Sequence, residues 1–364
     1  MDSSKYIPYG DDVEQPAADE QASIDGIIKA MTGQSETAAK REHGHAVRAS
    51  HAKSTGLLTG TLEVHSNEPA LAQGLFSKPG TYPVAVRFAQ GPGELLNDRV
   101  GTHRGMSIKV FGVEGPKLKG HTVNNQDFVL STGPTFPSGT AAGFLRDEKM
   151  LQTATPMPEV FKSAVSSIAR TANSVSEAVT GAPSPLADFF GHPFTHPLSE
   201  PYYSQCPIRF GDYVAKLGAF PVGANMQKVQ KVRIDTSKDG NAFRKAVVEH
   251  FAEDDYTFEI RAQLWTSKDT QSIEDASIQW SEDESPYQTI ATVRIPKQAA
   301  YSPERQRYFD EVMIFRPAHS LEVHKPLGSI MRTRLQVYSA LSDYRHKQNG
   351  VKEVNPAQIE QIPA

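Results

Sequence analysis

Gly80-Thr-Tyr-Pro-Val-Ala-Val-Arg-Phe88 and, after a Gly- and Asn-rich gap, Met106-Ser-Ile-Lys-Val-Phe-Gly-Val113 alternate apolar and polar residues with β-branched enrichment, the signature of half-buried strands. Outward from this pair, Gly56–Val64 repeats the pattern and Phe128–Leu130 reads as a further short strand. Lys78-Pro79-Gly80, Gly91-Pro92-Gly93 and Leu96-Asn97-Asp98 supply the turns between them. Strand alternation returns at Ile208–Lys216, Thr257–Trp265 and Thr289–Ile295, with a helical pattern at Ala242–Ala252. No internal repeat is present. One α+β domain, an antiparallel sheet or barrel with added helices, fits this order.

The expected boundaries are a mobile N-terminal arm over residues 1–20, a single domain over 21–350 and a tail over 351–364. Asp11–Glu20 is acidic and poor in large apolar residues, as an arm would be. Ser23–Met31 predicts a short amphipathic helix. Residues 148–187, rich in Ala, Ser, Thr and Pro, predict a helical or linker-like insertion with a helix over Val160–Val179.

At 364 residues, 38% hydrophobic and 22% charged, the chain can bury a large core. A net charge of −4 argues against nucleic acid as a partner. The single cysteine, Cys206, excludes an internal disulfide and a Cys-based metal cluster. No apolar run reaches membrane length and Met1–Gly10 lacks a signal-peptide pattern, so a cytoplasmic protein is expected. His192-Pro-Phe-Thr-His196 has zinc-ligand spacing, but Pro193 and Pro197 oppose the helix such a pair needs. The acidic run Glu274–Glu284 reads as a solvated surface.

The most informative segment is Leu327–Gly350, which predicts a helix ended by Gly350. Residues 327, 331, 334, 338, 341 and 345 share one face. Leu327, Met331 and Leu341 make it apolar, yet Arg334, Tyr338 and Arg345 lie on the same stripe. Either the face is half exposed and the arginines snorkel, or they meet something anionic and flat. On the second reading Arg334, four residues before Tyr338, reaches the phenolic oxygen and favours phenolate, a hard ligand suited to Fe(III).

Arg334-Leu-Gln-Val-Tyr338, with Arg345 seven residues on and His324-Lys-Pro-Leu-Gly328 before it, resembles the proximal helix of haem catalases and their smaller catalase-related peroxidase relatives. Three further blocks resemble the same superfamily, in its order. They are Arg48-Ala-Ser-His51-Ala-Lys-Ser-Thr-Gly56, Tyr82–Phe88 with Arg104–Phe111, and Asn124-Asn125-Gln-Asp-Phe128 with Pro134-Thr-Phe136-Pro137. The resemblance implies a catalase-like antiparallel β-barrel and haem b as Fe(III) with Tyr338 as axial tyrosinate. It implies His51 as distal acid–base residue, Asn125 as distal asparagine and Phe136 stacked on haem. Arg48, Arg87 and Arg345 would meet the propionates. Read singly, His51 also fits an exposed loop histidine, Arg87 a surface strand residue, Asn125 a turn and Phe136 a core aromatic.

The implied activity is a hydroperoxidase acting on hydrogen peroxide, organic hydroperoxides or both through a high-valent iron–oxo intermediate, with an unidentified electron donor. A true catalase and a non-enzymatic haem-binding protein stay open, as does a homo-oligomer. The sequence departs from the pattern in three places. Ala89 stands where large catalases carry serine, Ser339-Ala340-Leu341 replaces Pro-Asp-Thr, and the C-terminal helical domain of large catalases is expected to be lacking.

Overall fold

Nine strands form among the described residues, all but the unanticipated β5 arising from alternating segments: β1 Ser54–Val64, β2 Gly80–Gln90, β3 Arg104–Phe111, β4 Asn125–Ser131, β5 Tyr202–Tyr203, β6 Ile208–Phe210, β7 Tyr213–Val222, β8 Tyr256–Leu264 and β9 Gln288–Ile295. The structure, a computed structural model, describes residues 5–154, 162, 165–166, 168–170 and 191–364. The strands pair in the order β5-β4-β3-β2-β1-β9-β8-β7, and β7 pairs back to β5, closing an eight-stranded antiparallel barrel. The expected strand Ile208–Lys216 is instead two. Gly211, at φ 63°, turns the chain between β6 and β7, a conformation glycine takes without a side-chain clash.

Parity along β2 explains where the rest of the molecule sits. Val84, Val86 and Phe88 join the main barrel core with Leu58, Ile108, Phe258 and Val293. The alternate residues point to the other face, and they too are buried. Ala85 packs with Leu57, Phe309, Met313, Phe315 and Ile362, and Arg87 is only 3% exposed. The polar alternation that suggested a solvated outer face is covered here by the segment Arg307–Phe315, by the C-terminal residues and by helices.

Three helices matter for the site: α1 Glu20–Arg41, α2 Ala141–Ala154 and, after the barrel's last strand, a long helix called αC, Ser329–Asn349. The first is far longer than the expected Ser23–Met31. Its Ile24, Ile27 and Met31 pack with Ala141 of α2 and with Val337 and Leu341 of αC. Gly350 caps αC in the left-handed conformation, φ 63°, as its position predicts. The expected helix Val160–Val179 lies largely outside the described residues; 162, 165–166 and 168–170 are helical.

The segment expected as a mobile arm is tied to the body by apolar burial, with Tyr6 in the core and Ile7, Tyr9 and Val13 against Trp265 and Trp280, and by charge. Arg332 on αC binds Glu14, Glu20 and Glu274 together, and Glu14 also accepts the Gly328 N–H at 2.9 Å. The tail 351–364 docks as well, with Ile362 buried beside Ala85 and the Asn355 side-chain Oδ1 accepting from Lys109 at 2.8 Å. Among the described residues no helix is long and apolar enough to cross a membrane.

Lys109, on β3, is fully buried against Asp127 of β4 at 2.6 Å, and Asp127 also contacts His319 at 2.8 Å. Breaking such a pair leaves an uncompensated buried charge, which costs about 3–5 kcal/mol. Lys109→Met is therefore expected to lower the urea midpoint by that equivalent, and adding Asp127→Leu to recover much of it. A single-variant loss under about 1 kcal/mol would contradict the buried pair.

Candidate active site

Five residues, Met31, Ala49, Ser50, Val337 and Tyr338, line two adjoining cavities of about 190 and 80 Å³. The larger also meets His51, His103, Phe136 and Arg334; the smaller meets Arg48 and Arg345. Their linings come chiefly from α1, from αC and from the segments 48–51, 91–94 and 314–316. The second half of the αC stripe, Arg334, Tyr338, Leu341 and Arg345, thus lines the cavities; Arg345 is 3% exposed and Leu327, Met331 and Leu341 are buried, while Arg334 and Tyr338 are half-buried.

His51 is held in a costly backbone conformation. Its φ is 52°, in the left-handed region that residues with a side chain seldom adopt. Both of its peptide groups are pinned, the N–H donating to Gly91 O at 2.7 Å and the carbonyl accepting from Arg87 Nη2 at 2.8 Å. Strain kept in this way is a mark of functional positions. The ring lies against Gly105, where a Cβ would come within 2.5 Å of it, and edge-on to His103 at 5.6 Å between centroids. Burial, then the neighbouring His103, Arg87 and Arg334, pushes the His51 pKa well below its ordinary value. The Gln90 carbonyl favours the protonated ring only weakly, and Nδ1 makes no hydrogen bond of regular geometry among the described residues.

Arg48, Arg87 and Arg345 gather around the π-helical turn Arg307–Val312. Arg48 donates to Phe309 O at 2.6 Å and Met313 O at 2.7 Å, and its buried Nε has no partner among the described residues. Arg87 pairs with Asp310 at 2.8 Å. Arg345 donates to the Asp310 and Glu311 carbonyls. Burial, then the charges of Arg345 and Arg87, drives the Arg48 pKa well down. Burial and Arg87 bring Arg345 down to about 10. Of the three, Arg87 alone binds the Asp310 carboxylate, while Arg48 and Arg345 take backbone carbonyls beside it and Glu311 and Glu353 offset Arg345 in part; an anionic group would add to this neutralisation.

The structure separates two expected residues from their roles. Arg334 makes no hydrogen bond with Tyr338. Its guanidinium donates to Gln205 Oε1 at 3.3 Å and lies over the Phe136 ring at 5.1 Å, and Gln205 is itself anchored on Thr135 O at 2.7 Å. The guanidinium that interacts electrostatically with Tyr338 is Arg48. Asn125 does not reach the cavity. It begins β4, six residues from the Ser131 that pairs with Gly105, so roughly 20 Å from His51. Its amide donates to Asn355 Oδ1 at 2.8 Å and Pro356 O at 3.0 Å. Phe136 does line the cavity, edge-on to Phe144.

No family model matches the chain, and no curated protein sequence matches it. Solved structures do. A fungal catalase superposes with a TM-score of 0.59 at 15% identity, over 85% of this chain and 61% of the other. The chain has the catalase fold. Catalase A from Saccharomyces cerevisiae gives a TM-score of 0.58 at 16% identity, over 85% of this chain and 63% of its own. A bacterial catalase gives 0.55 at 14%, over 94% and 64%. The chain therefore spans under two thirds of the length of these catalases.

Within the catalase fold the residues fit haem. Tyr338 stands where the two cavities meet, the arginine cluster adjoins one of them, and Arg48 Nε is an orphaned buried donor. Sequence reasoning missed Asp310, Gln205 and His103. His103 carries a signal in retrospect, since the Cβ missing at Gly91 would fall within its ring.

Because the His51 pKa is depressed, the unfolded chain binds a proton there before the native protein does. The stability it contributes is present above the ordinary value of 6.5 and is lost as pH falls below it. His51→Phe is expected to flatten the pH dependence of urea stability below that point, and side-chain NMR to find the ring neutral at pH 6. An imidazole titrating at or above 6.5 would contradict this environment.

Proposed function

We propose that this chain is a haem-dependent hydroperoxidase that reduces hydrogen peroxide, organic hydroperoxides or both. One observation carries the reading: His51, strained and kept neutral, and Tyr338, on a buried helix stripe, line one cavity beside three under-neutralised arginines. The similarity to catalases supports peroxide chemistry at the level of the fold.

Haem b, when bound, supplies a redox-active iron that accepts the oxidising equivalents of the peroxide. Tyr338 is the residue to ligate that iron through its phenolic oxygen, and Arg48 and Arg345 the ones to neutralise the propionates. Arg87 acts through another residue. It pins the His51 carbonyl and is itself fixed by Asp310. His51, neutral at physiological pH, takes the proton from the hydroperoxide oxygen and returns it to the departing oxygen as water or alcohol. Arg334, lying over Phe136, keeps positive charge near the ring and disfavours premature protonation of His51. A second peroxide or a separate donor returns the two electrons.

Ala89 favours peroxidase over fast catalase action. It pairs with Gly105, the residue against the His51 ring, and brings no hydroxyl to hold Nδ1.

Tyr338→Phe is expected to abolish the ferric–phenolate absorption and turnover together. His51→Ala should keep the haem spectrum and lose turnover by about 10²- to 10⁴-fold. A Tyr338→Phe protein with an unchanged spectrum and rate would overturn the assignment. Oxygen release from hydrogen peroxide, compared with turnover of cumene hydroperoxide plus an electron donor, separates the two activities; peroxidase turnover is expected to predominate.

A further inference from the structure

The smaller cavity carries an arginine that the haem reading leaves without a task. Among the described residues lining it, the ionisable ones are Arg48, Arg316, Tyr338 and Arg345, and none is a carboxylate. Its volume of about 80 Å³ is several times the roughly 10–15 Å³ that one water molecule needs. A pocket walled by three guanidiniums and no acid favours an anion.

Arg316 is delivered to this wall by a segment pinned on several sides. The Ile314 N–H donates to Val354 O in the tail at 3.1 Å, and the Arg316 N–H donates to Asp127 Oδ2 on β4 at 2.9 Å. The Arg316 carbonyl accepts from the His319 N–H at 2.9 Å. Phe315, just before it, packs with Ala85 and Phe309. The side chain is 15% exposed, and its Nη2 donates to Glu353 Oε2 at 2.6 Å. Its Nε is buried without a hydrogen-bond partner among the described residues, and the same is true of Arg48 Nε. One cavity thus meets two arginines that each hold back an unspent, buried donor, and a ligand oxygen would satisfy such donors.

The acids nearby are committed elsewhere or shared. Asp127 is taken by Lys109 and His319, and Asp310 by Arg87. Asp343 reaches Arg316 only at 4.0 Å and is exposed. Glu353 does not line the cavity. It also accepts from Ser342 Oγ at 3.1 Å and offsets the charge of Arg345 as well as that of Arg316. One half-exposed carboxylate therefore serves two guanidiniums, and room for a second anion remains.

We propose that Arg316 is a cofactor-binding residue, whose Nε joins Arg48 and Arg345 in taking a carboxylate of the porphyrin in the smaller cavity. This wall then selects a porphyrin with free carboxylates over an esterified one. The proposal rests on the haem reading and adds to it a residue that neither the helix stripe nor the sequence motifs mark.

Binding of iron-free protoporphyrin IX to the purified protein, followed by fluorescence, tests the assignment without iron, Tyr338 ligation or turnover. Its dimethyl ester, delivered in the same dilute detergent, is the second probe. The diacid is expected to bind about tenfold tighter than the diester. Arg316→Gln should weaken the diacid about fivefold to tenfold and the diester by no more than about twofold, and Arg316→Lys, which keeps the charge, should stay within about threefold of the native protein. Glu353→Gln, which removes the anion now sharing Arg316, should tighten the diacid about twofold to threefold. Equal loss for both porphyrins in Arg316→Gln, or no loss for either, would overturn the proposal while leaving the haem reading in place. Failure of the native protein to bind either porphyrin would overturn both. If Arg316→Gln does not fold, Glu353→Gln decides: an unchanged or weaker diacid affinity rejects the role of Arg316.

Discussion

Positive charge, buried with too little negative charge beside it, governs this half of the molecule. Arg48, Arg87 and Arg345 converge on one turn, where Arg87 pairs with the Asp310 carboxylate and the other two take backbone carbonyls. Removing guanidiniums from water is costly, and they mitigate it by taking every backbone carbonyl within reach: Phe309, Met313, Asp310, Glu311, His51 and Ala52. The π-helical turn Arg307–Val312 presents those carbonyls. The arginines thus order a segment with few apolar anchors beyond Phe309, and that segment roofs the outer face of β2. On the function proposed above, the same positive charge suits the adjoining cavity to an anion. Stability and ligand affinity here draw on one interaction.

Strain at His51 follows from this arrangement. Arg87 is placed by strand parity on the outer face of β2, and its two ends hold Asp310 and the His51 carbonyl. With Gly91 holding the N–H, the residue cannot relax from its left-handed φ. Gly105 then provides the space into which the ring swings. The ring's neutrality is a consequence of the same neighbours, because Arg87 and Arg334 oppose its protonation. A single strand residue, Arg87, therefore fixes where the imidazole points and helps fix its charge state.

Much of this was legible in the sequence because it is periodic. The alternation of Val84, Val86 and Phe88 reports a buried face, and the three-and-four spacing of Leu327, Met331, Arg334, Tyr338, Leu341 and Arg345 reports a face on which all but the half-buried Arg334 and Tyr338 are buried. Gly350 announced the end of its helix through a local conformational requirement. What could not be read depends on contacts between remote segments. Asp310 lies in a turn with no pattern, and Gln205 draws Arg334 away from Tyr338 across 129 positions. Asn125 matched a motif locally, but the pairing of β3 with β4 sets which end of the strand faces His51, and it is the Ser131 end. Anchoring of the N-terminal segment by Arg332 was equally hidden, since charged residues have no periodicity that points to a partner over 300 positions away.

The two functions of α1 connect the barrel site to its surroundings. Ile24, Ile27 and Met31 bury one stripe against α2 and αC, which places Val337 and Tyr338 at the cavity wall. One turn further on, the same stripe carries Gln34 and Ser35 into the cavity, where an apolar pair would have packed more favourably. An unpartnered serine and a buried carboxyl oppose the burial that holds the helix in place. Ser35 on α1 and Glu148 on α2 thus give up local stability at this contact, which the Gln34–Glu148 hydrogen bond offsets in part.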